Sequence, residues 1–357
     1  MKRLNIGALV VAVLCAAFAA HAADKPSEIR VATPGVGIGN RPVVGGSTWA
    51  VVHLRGLLEE EFKADGIKVS WNFLRGAGPA VNELYANQLV DFAAYGDLPS
   101  IIGRASGLDT RVIAGGGKSN LVIAVPADSS IQGVKELAGK KFAVFKGTCL
   151  QLAAARILEA HGLTERDVRA LNMDQSTARA ALATRDVDAV ISGSDLFSLR
   201  DQGLARIIYA TKGDPRYTCN GTLTASGDFI RKYPEVTKRV VKVYVKAAKW
   251  LGDHQQDPSE AFQLWTRSGQ RFSDFKEDWQ GELIKERASP LLDAYVAGRY
   301  TGAISDAKRY GLIRTPFEFQ PWVDASFLTQ VLAEESLNEY WTPLPPVAAP
   351  TAAIANR

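Results

Sequence analysis

A threonine and a cysteine lie where a strand-like run turns at once into a helical pattern. The run "KFAVF" is followed by Lys146, Gly147, Thr148 and Cys149, and the helix begins there. A thiol at a helix N-terminus has a lowered pKa and can act as a nucleophile. Thr148 can instead cap the helix, whose first N–H groups would then bind an anion. An ordinary capped turn is the third interpretation, and the junction alone does not choose among the three.

A nucleophilic cysteine needs a base within hydrogen-bond reach. His161 cannot be that base, because it lies about twelve residues along the same helix, or about 18 Å away. His53, in the first predicted helix, is the histidine that could face Cys149 across a cleft. A cysteine-dependent hydrolase therefore stays open as an alternative function.

The N-terminal segment predicts export. Two basic residues precede an apolar run over residues 8–20, and Ala20-His21-Ala22 has the pattern of a signal-peptide cleavage site. The run is shorter than the roughly 20 residues that a membrane-spanning helix needs. We therefore expect residues 1–22 to be a signal peptide, cleaved near Ala22, and the mature protein to be periplasmic.

Export also bears on the cysteines. The chain has three, and Cys15 falls within the predicted signal peptide, so the mature protein would keep Cys149 and Cys219. In an oxidising compartment an even number of cysteines favours a bridge. A disulfide between these two residues would rule out the nucleophile.

Charge and length limit the class of protein. The 42 basic and 38 acidic residues become 40 and 38 after cleavage, which leaves a net charge of +2. So small an excess argues against a nucleic-acid partner. The mature length is sufficient for two core-bearing units, and we expect a monomer. No motif for a cofactor is complete, and no spacing of Cys, His and carboxylates indicates a metal site.

The predicted elements follow one plan twice. "EIRVAT", "KVSWNFL" and "VDFAAYG" are strand-like runs in the first half, and "KFAVF", "VRALNM" and "VDAVISG" follow in the second. Aligning Asp91 with Asp188 places Gly96 opposite Gly193. Although every α/β protein alternates strand and helix, this shared signature is more particular. We therefore predict an α/β fold with two doubly wound lobes.

We expect the first lobe to comprise residues 28–116 and 226–341, and the second residues 117–225. The segment 342–357 is rich in Pro and Ala without periodicity, which predicts a flexible tail.

Loops beyond the carboxyl ends of strands bind ligands in such folds. If the lobes face each other, these loops converge on one cleft, where helix N-termini can bind an anion without a charged side chain. Because backbone donors do not titrate, a permanently ionised anion is expected to bind almost equally from about pH 5 to 8. The candidate ligand-binding residues are Gly39, Asn40, Arg41, Gly76, Ala77, Gly78, Tyr95, Gly96, Asp97, Gly147, Thr148, Cys149, Ser194 and Asp195.

Four stretches resemble the periplasmic substrate-binding proteins of ABC importers for aliphatic sulfonates, taurine and nitrate. They are "RGAGPAVNELYANQLVDFAAYGDLPSI", "LVIAVPADSSIQGVKELAGKKFAVFKGT", "LEAHGLTERDV" and "FIRKYPEVTKRVVKVYVKAAKWL". The similarity extends from about Glu28 to Trp341. By position, Gly76 to Pro79, Gly96 with Asp97, and Gly147 to Cys149 match cleft-lining segments of the family.

The resemblance implies a type II periplasmic binding protein-like fold with a ligand cleft between two lobes. It implies a protein that is not an enzyme, but captures a small anionic solute and delivers it to an ABC permease and its ATPase. An aliphatic sulfonate is the expected solute, within the sulfonate, taurine or nitrate class. Because Cys149 stands where many sulfonate binders have serine, a sulfate ester, nitrate and a carboxylate stay open as alternatives. The fold also resembles a few cysteine-dependent desulfinases, which gives the alternative enzyme a substrate class.

Overall fold

The computed structural model describes residues 25–347 and contains two five-stranded sheets. The first sheet consists of β1 (Glu28–Thr33), β2 (Lys68–Phe73), β3 (Phe92–Gly96), β4 (Thr110–Ser119) and β10 (Cys219–Ser226). The second consists of β5 (Val122–Pro126), β6 (Lys141–Val144), β7 (Arg169–Asn172), β8 (Ala189–Ser192) and β9 (Ala205–Ala210). Their strand orders are β2-β1-β3-β10-β4 and β7-β6-β8-β5-β9.

Helices cover these sheets. Four helices lie between β1 and β4 in the chain: α1 (Thr48–Leu54), α2 (Leu57–Lys63), α3 (Ala77–Ala86) and α4 (Asp97–Ala105). The second sheet has α5 (Cys149–Ala160), α6 (Gln175–Ala183) and α7 (Phe197–Asp201). After β10 follow α8 (Gly227–Lys232), α9 (Pro234–Asp253), α10 (Ser259–Trp265), α11 (Phe272–Trp279), α12 (Ile284–Arg287), α13 (Ala294–Arg309) and α14 (Ser326–Glu334).

The two sheets repeat one arrangement, as the sequence predicts. In each, three strands are parallel and the fourth runs antiparallel between its neighbours. The aligned aspartates have the same role, because the Asp91 carboxylate accepts from the Arg30 N–H and the Asp188 carboxylate from the Lys141 N–H, each at 2.7 Å. Asp91 therefore links the start of β3 to β1, and Asp188 links the start of β8 to β6. The α/β fold with two lobes is confirmed.

The long helix α9 shows why the first lobe is stable. Pro234 occupies its first turn, where a missing N–H costs nothing. Val240, Tyr244, Ala248 and Leu251 recur at helical spacing and are at most 1% exposed. They pack in a core with residues of α1 and β1, so the loops at the strand ends rest on rigid elements.

The strand pairings make the second lobe shorter at both ends than we expected. β4 continues to Ser119, and β10 begins at Cys219, and both belong to the first sheet. Residues 117–119 and 219–225, which the sequence assigned to the second lobe, therefore pair in the first. Below, the second lobe means residues 120–218.

The C-terminal segment differs from the expected tail as far as the structure describes it. The Leu344 N–H donates to the Asp293 carboxylate at 2.8 Å, and the Leu344 carbonyl accepts from the Tyr295 N–H at 3.1 Å. Residues 342–347 thus lie against the start of α13. Residues 348–357 and the predicted signal peptide lie outside the described residues. Within residues 25–347, no helix has the length and apolar character needed to cross a membrane.

Substitution of Gly116, where β4 lies against β10, tests this packing. A Cβ atom at Gly116 would lie 2.7 Å from the Gly221 carbonyl carbon, so the strands would have to move apart. We expect Gly116→Ala to lower the free energy of unfolding by about 1–3 kcal/mol in urea titrations. Gly133→Ala is the control, because its Cβ would meet nothing within 4 Å. Equal stability of the two variants would contradict the described strand contact.

Candidate functional site

A cavity of about 390 Å³ lies between the two lobes, which is within the range of small-molecule sites. We call it the cleft cavity. From the first lobe it is lined by parts of the loop after β1, the start of α3, the ends of β3 and β4, the start of β10 and the segment 268–287. From the second lobe it is lined by the starts of α5 and α6 and by residues 193–195. Both lobes therefore contribute to one site.

The starts of α3, α5 and α6 meet at this cavity. Ala77 and Gly78 of α3, Cys149 and Leu150 of α5, and the first residues of α6 all line it. The first N–H groups of a helix have no partner within the helix and carry its positive dipole end. The arrangement therefore presents neutral donors from both lobes to one space, which suits an anion.

The start of α5 is held in shape by its own side chains. The Thr148 hydroxyl donates to the Phe145 carbonyl at 2.7 Å and accepts from the Leu150 N–H at 3.2 Å. Gly147 has a φ of 72°, in the left-handed region, and a Cβ there would lie 3.0 Å from Pro79 of the other lobe. Glycine therefore permits both the turn and the close approach of the lobes.

Cys149 and Cys219 are joined in a disulfide, the pairing that the sequence favoured. Cys149 begins α5 in the second lobe, and Cys219 begins β10 in the first sheet. The bond thus ties the start of α5 to the crossing. Because neither sulfur is free, the thiol nucleophile of the alternative interpretation is absent from this structure.

The histidine considered as its base lies elsewhere. His53 packs edge-on against Trp71 and Phe73, with ring centroids 4.8 and 4.9 Å away. Partial burial lowers the pKa of His53, so the neutral ring is favoured. His161 ends α5, where its Nδ1 lies 2.7 Å from the Ile157 carbonyl oxygen.

The charged side chains of the cleft cavity differ in how well they are paired. Arg287 donates to Asp278 at 2.5 Å, and this buried pair is neutral as a unit. Arg179 of α6 lines the cavity, and its guanidinium forms no ion pair within the described residues. It is therefore the cation most available to a ligand.

Asp195 is the carboxylate that influences Arg179. Loss of hydration raises the pKa of Asp195 to about 6, while the Ser192 hydroxyl and the charge of Arg179 oppose that rise. The hydroxyl donates to the carboxylate at 2.7 Å. Asp195 can therefore change its charge near neutral pH, which backbone donors cannot do.

Eight of the predicted ligand-binding residues line the cleft cavity: Ala77, Gly78, Tyr95, Gly96, Thr148, Cys149, Ser194 and Asp195. Six do not: Gly39, Asn40, Arg41, Gly76, Asp97 and Gly147.

Each displaced residue has a physical reason. Residues 39–41 form the exposed tip of the loop after β1, whose two flanks line the cavity instead. Asp97 is 2% exposed and accepts from the Leu98 N–H at 2.8 Å, so it points into the protein. Gly76 and Gly147 lie just before the starts of α3 and α5, where they affect the backbone turn without lining the cavity.

The sequence reasoning missed several lining residues. Arg179 lies one helical turn after Gln175, so both share the face of α6 that meets the cavity. That spacing was visible in the sequence. Ser268, Gln270 and Asp278 come from the segment that returns to the first lobe, where no strand-and-loop pattern marks them.

Known proteins are similar to this chain in sequence and in fold. A family model described as NMT1/THI5 like matches residues 62–261, more than half of the chain. The chain belongs to the NMT1/THI5-like family.

Relatives of this NMT1/THI5-like protein have names that refer to sulfonates. A Bacillus subtilis (strain 168) protein, provisionally named an aliphatic sulfonates-binding protein, is 31% identical over 212 residues. The match spans 58% of this chain and 63% of that relative. A structure from Methylobacillus flagellatus KT, provisionally titled the periplasmic sulfonate-binding protein SsuA of a sulfonate ABC transporter, is also 31% identical. Its TM-score is 0.76, over 90% of this chain and 98% of that one.

The desulfurization enzyme DSZB has the same fold. It is 19% identical, with a TM-score of 0.63 over 86% of this chain and 99% of that one. At that identity, the likeness concerns the fold alone. The two-lobed fold thus serves both binding proteins and an enzyme, so function must be argued from the site.

Removal of the disulfide tests its structural role in this family member. The bond closes a loop with a sequence separation of 70 residues. We expect the double substitution Cys149→Ala and Cys219→Ala to lower the free energy of unfolding by about 4 kcal/mol, because the unfolded chain gains freedom. Urea titrations measure the loss. A reductant should destabilise the wild-type protein and leave the stability of the double variant unchanged. If the reductant changed the stability of neither protein, a stabilising role of the disulfide would be contradicted.

The charge of Asp195 predicts a pH dependence that replaces the near independence expected from backbone donors. A sulfonate stays ionised throughout, whereas Asp195 is neutral below about pH 6 and negative above it. We expect the affinity for an anion to fall about threefold to tenfold as the pH rises from about 5 to 8. Calorimetric titrations at several pH values measure it. Asp195→Asn should abolish the dependence; an identical slope in the variant would contradict this assignment.

Proposed function

We propose that this chain is a periplasmic solute-binding protein that captures an aliphatic sulfonate and delivers it to an ABC permease and its ATPase. The observation that carries the proposal is the meeting of three helix N-termini and Arg179 at one cavity between the lobes. Sulfonate oxygens are acceptors, and every one of these groups is a donor. The names of the relatives agree with this class of ligand.

The remaining wall fits the hydrocarbon part of such a solute. Trp49, Tyr95, Phe145 and Phe275 line the cleft cavity together with aliphatic side chains. Apolar surface of this kind favours an organic tail, since it removes that tail from water. An inorganic anion such as nitrate would leave this surface without a partner, so we propose an alkyl-bearing anion.

Closure of the two lobes over the solute is the proposed mechanism. Polar side chains already meet across the cleft: Arg271 pairs with Asp201 at 2.8 Å, and Gln270 donates to Ser194 at 3.3 Å. Exposed ion pairs of this kind contribute about 0–1 kcal/mol each, so they do not hold the lobes shut alone. A solute that contacts donors of both lobes adds the missing stabilisation and shifts the population toward the closed form.

We propose binding without turnover. The alternative desulfinase required a free thiol at Cys149, and that sulfur is bonded to Cys219. The described geometry contains a binding cleft, and no observation favours a second function.

A ligand panel on the purified mature protein tests the proposal. Methanesulfonate, butanesulfonate, taurine, nitrate, sulfate and butyrate are compared by thermal shift and calorimetry. The alkanesulfonates should raise the melting temperature most, because a ligand that binds only the folded state stabilises it by mass action. A response to inorganic anions alone would contradict the proposed solute, and release of sulfite would contradict a pure binder.

Arg179 should be essential for affinity. We expect Arg179→Gln to weaken butanesulfonate binding by about 10–100-fold, because a charge-assisted hydrogen bond is lost. Arg185→Gln is the matched control, since Arg185 carries the same charge just after α6 but does not line the cavity. Equal affinities of the two variants would show that Arg179 does not contact the solute.

A further inference from the structure

A second cavity, of about 850 Å³, lies at the crossing between the lobes. We call it the hinge cavity. It shares Gly117, Asn220, Gly221 and Arg287 with the cleft cavity, so the ends of β4 and β10 form the wall between the two. Its other walls are the loop 212–216 of the second lobe, the start of α13 and the segment 344–347.

Arg299 of α13 is the unusual group in this cavity. It is only 7% exposed, and it donates to the carbonyl oxygens of Arg216 and Thr218 at 3.0 and 3.2 Å. Its Nε is buried and has no hydrogen-bond partner, and within the described residues Arg299 forms no ion pair. Burial of a cation that has no ion-pair partner is costly, and a bound anion would offset part of that cost.

The charge balance of the hinge cavity limits which anion fits. Five basic and four acidic residues line it, an excess of one positive charge. Asp214 pairs with Arg216 at 2.6 Å, and Arg287 pairs both with Glu282 at 3.2 Å and with Asp278, which does not line this cavity, at 2.5 Å. Asp278 therefore offsets the excess, and the second charge of a phosphate or a dicarboxylate would have no cation to match it. The cavity thus favours a monoanion.

The shape of the donor set and the apolar wall narrow the class further. A guanidinium has five N–H donors, and the two recorded bonds of Arg299 use one on each Nη atom, while its Nε–H has no partner. The Nε–H and a remaining Nη–H can donate in parallel to the two oxygens of a planar carboxylate. Leu291, Val296 and Pro346 also line the cavity and offer apolar surface. A short hydrocarbon chain would remove this surface from water.

We propose that the hinge cavity is a second binding site, which takes a short-chain monocarboxylate with its charged end on Arg299 and its hydrocarbon chain on the apolar wall. The same guanidinium holds the backbone at residues 216 and 218, just before β10. A bound carboxylate therefore lies where the chain passes from the second lobe to the first. The site is separate from the sulfonate site and does not depend on it.

Calorimetric titration of hexanoate into the mature protein tests the proposal, with and without saturating butanesulfonate. Hexanoate should bind in both conditions, because the crossing strands separate the two cavities. Displacement by butanesulfonate would place hexanoate in the cleft and overturn the proposal. If the protein binds no butanesulfonate, the proposed transport function fails, while the hexanoate titration still decides this one.

Variants on α13 locate the bound carboxylate. Arg299→Gln should weaken hexanoate at least about tenfold, because the charged donor is lost. Lys308→Gln removes the same charge from the same helix outside the cavity and should leave the affinity unchanged.

A second variant covers the case in which Arg299→Gln disturbs the crossing. Val296→Trp fills part of the cavity while keeping the charge of Arg299, and it should also abolish hexanoate binding. Wild-type affinity in both Arg299→Gln and Val296→Trp would overturn the assignment.

Discussion

The site depends on one constraint, the attachment of the start of α5 to the crossing strand β10. The disulfide between Cys149 and Cys219 fixes the helix end in the second lobe against the first sheet. Gly96 makes the contact close, because a Cβ there would lie 3.0 Å from the Cys149 Cβ. The donors of α5 therefore keep their position relative to the first lobe, so a solute meets a preorganised edge rather than one it must assemble.

The electrostatics of the cleft follow from burial. Full charges are kept in pairs, as in Arg287 with Asp278, whereas peptide groups at helix starts and Arg179 line the cavity. Peptide donors carry no net charge, so their burial costs less than that of a further cation. Asp195 departs from this pattern, since its charge varies near neutral pH and modulates Arg179.

Much of the fold could be predicted from the sequence, because it depends on local sequence patterns. Asp91 and Asp188 marked equivalent strands, and the loops after those strands reached the cavity. The boundaries were less readable. β10 lies antiparallel between β3 and β4, both of which are distant from β10 in the sequence. No local sequence pattern predicts a strand pairing over such a separation.

In the candidate site, too, local patterns predict some residues and do not predict others. Thr148 was predictable, because a cap and a helix start are local features. Asp97 was misjudged, because the pattern that marks a strand end does not say which way the side chain points. Arg287 was missed, since it reaches the cavity only through the return of the chain to the first lobe.

The position of β10 also affects the order in which the two sheets can form during synthesis. The strands of the second sheet are contiguous, from residue 122 to 210, so that half can condense as soon as it has emerged. The first sheet cannot, because its fifth strand in chain order, β10, begins only at residue 219. Until then β3 and β4 present open edges, which are prone to pair with other chains. The later-synthesised half of the molecule thus completes the earlier one, and a chain truncated before β10 would be left with an unfinished, aggregation-prone sheet.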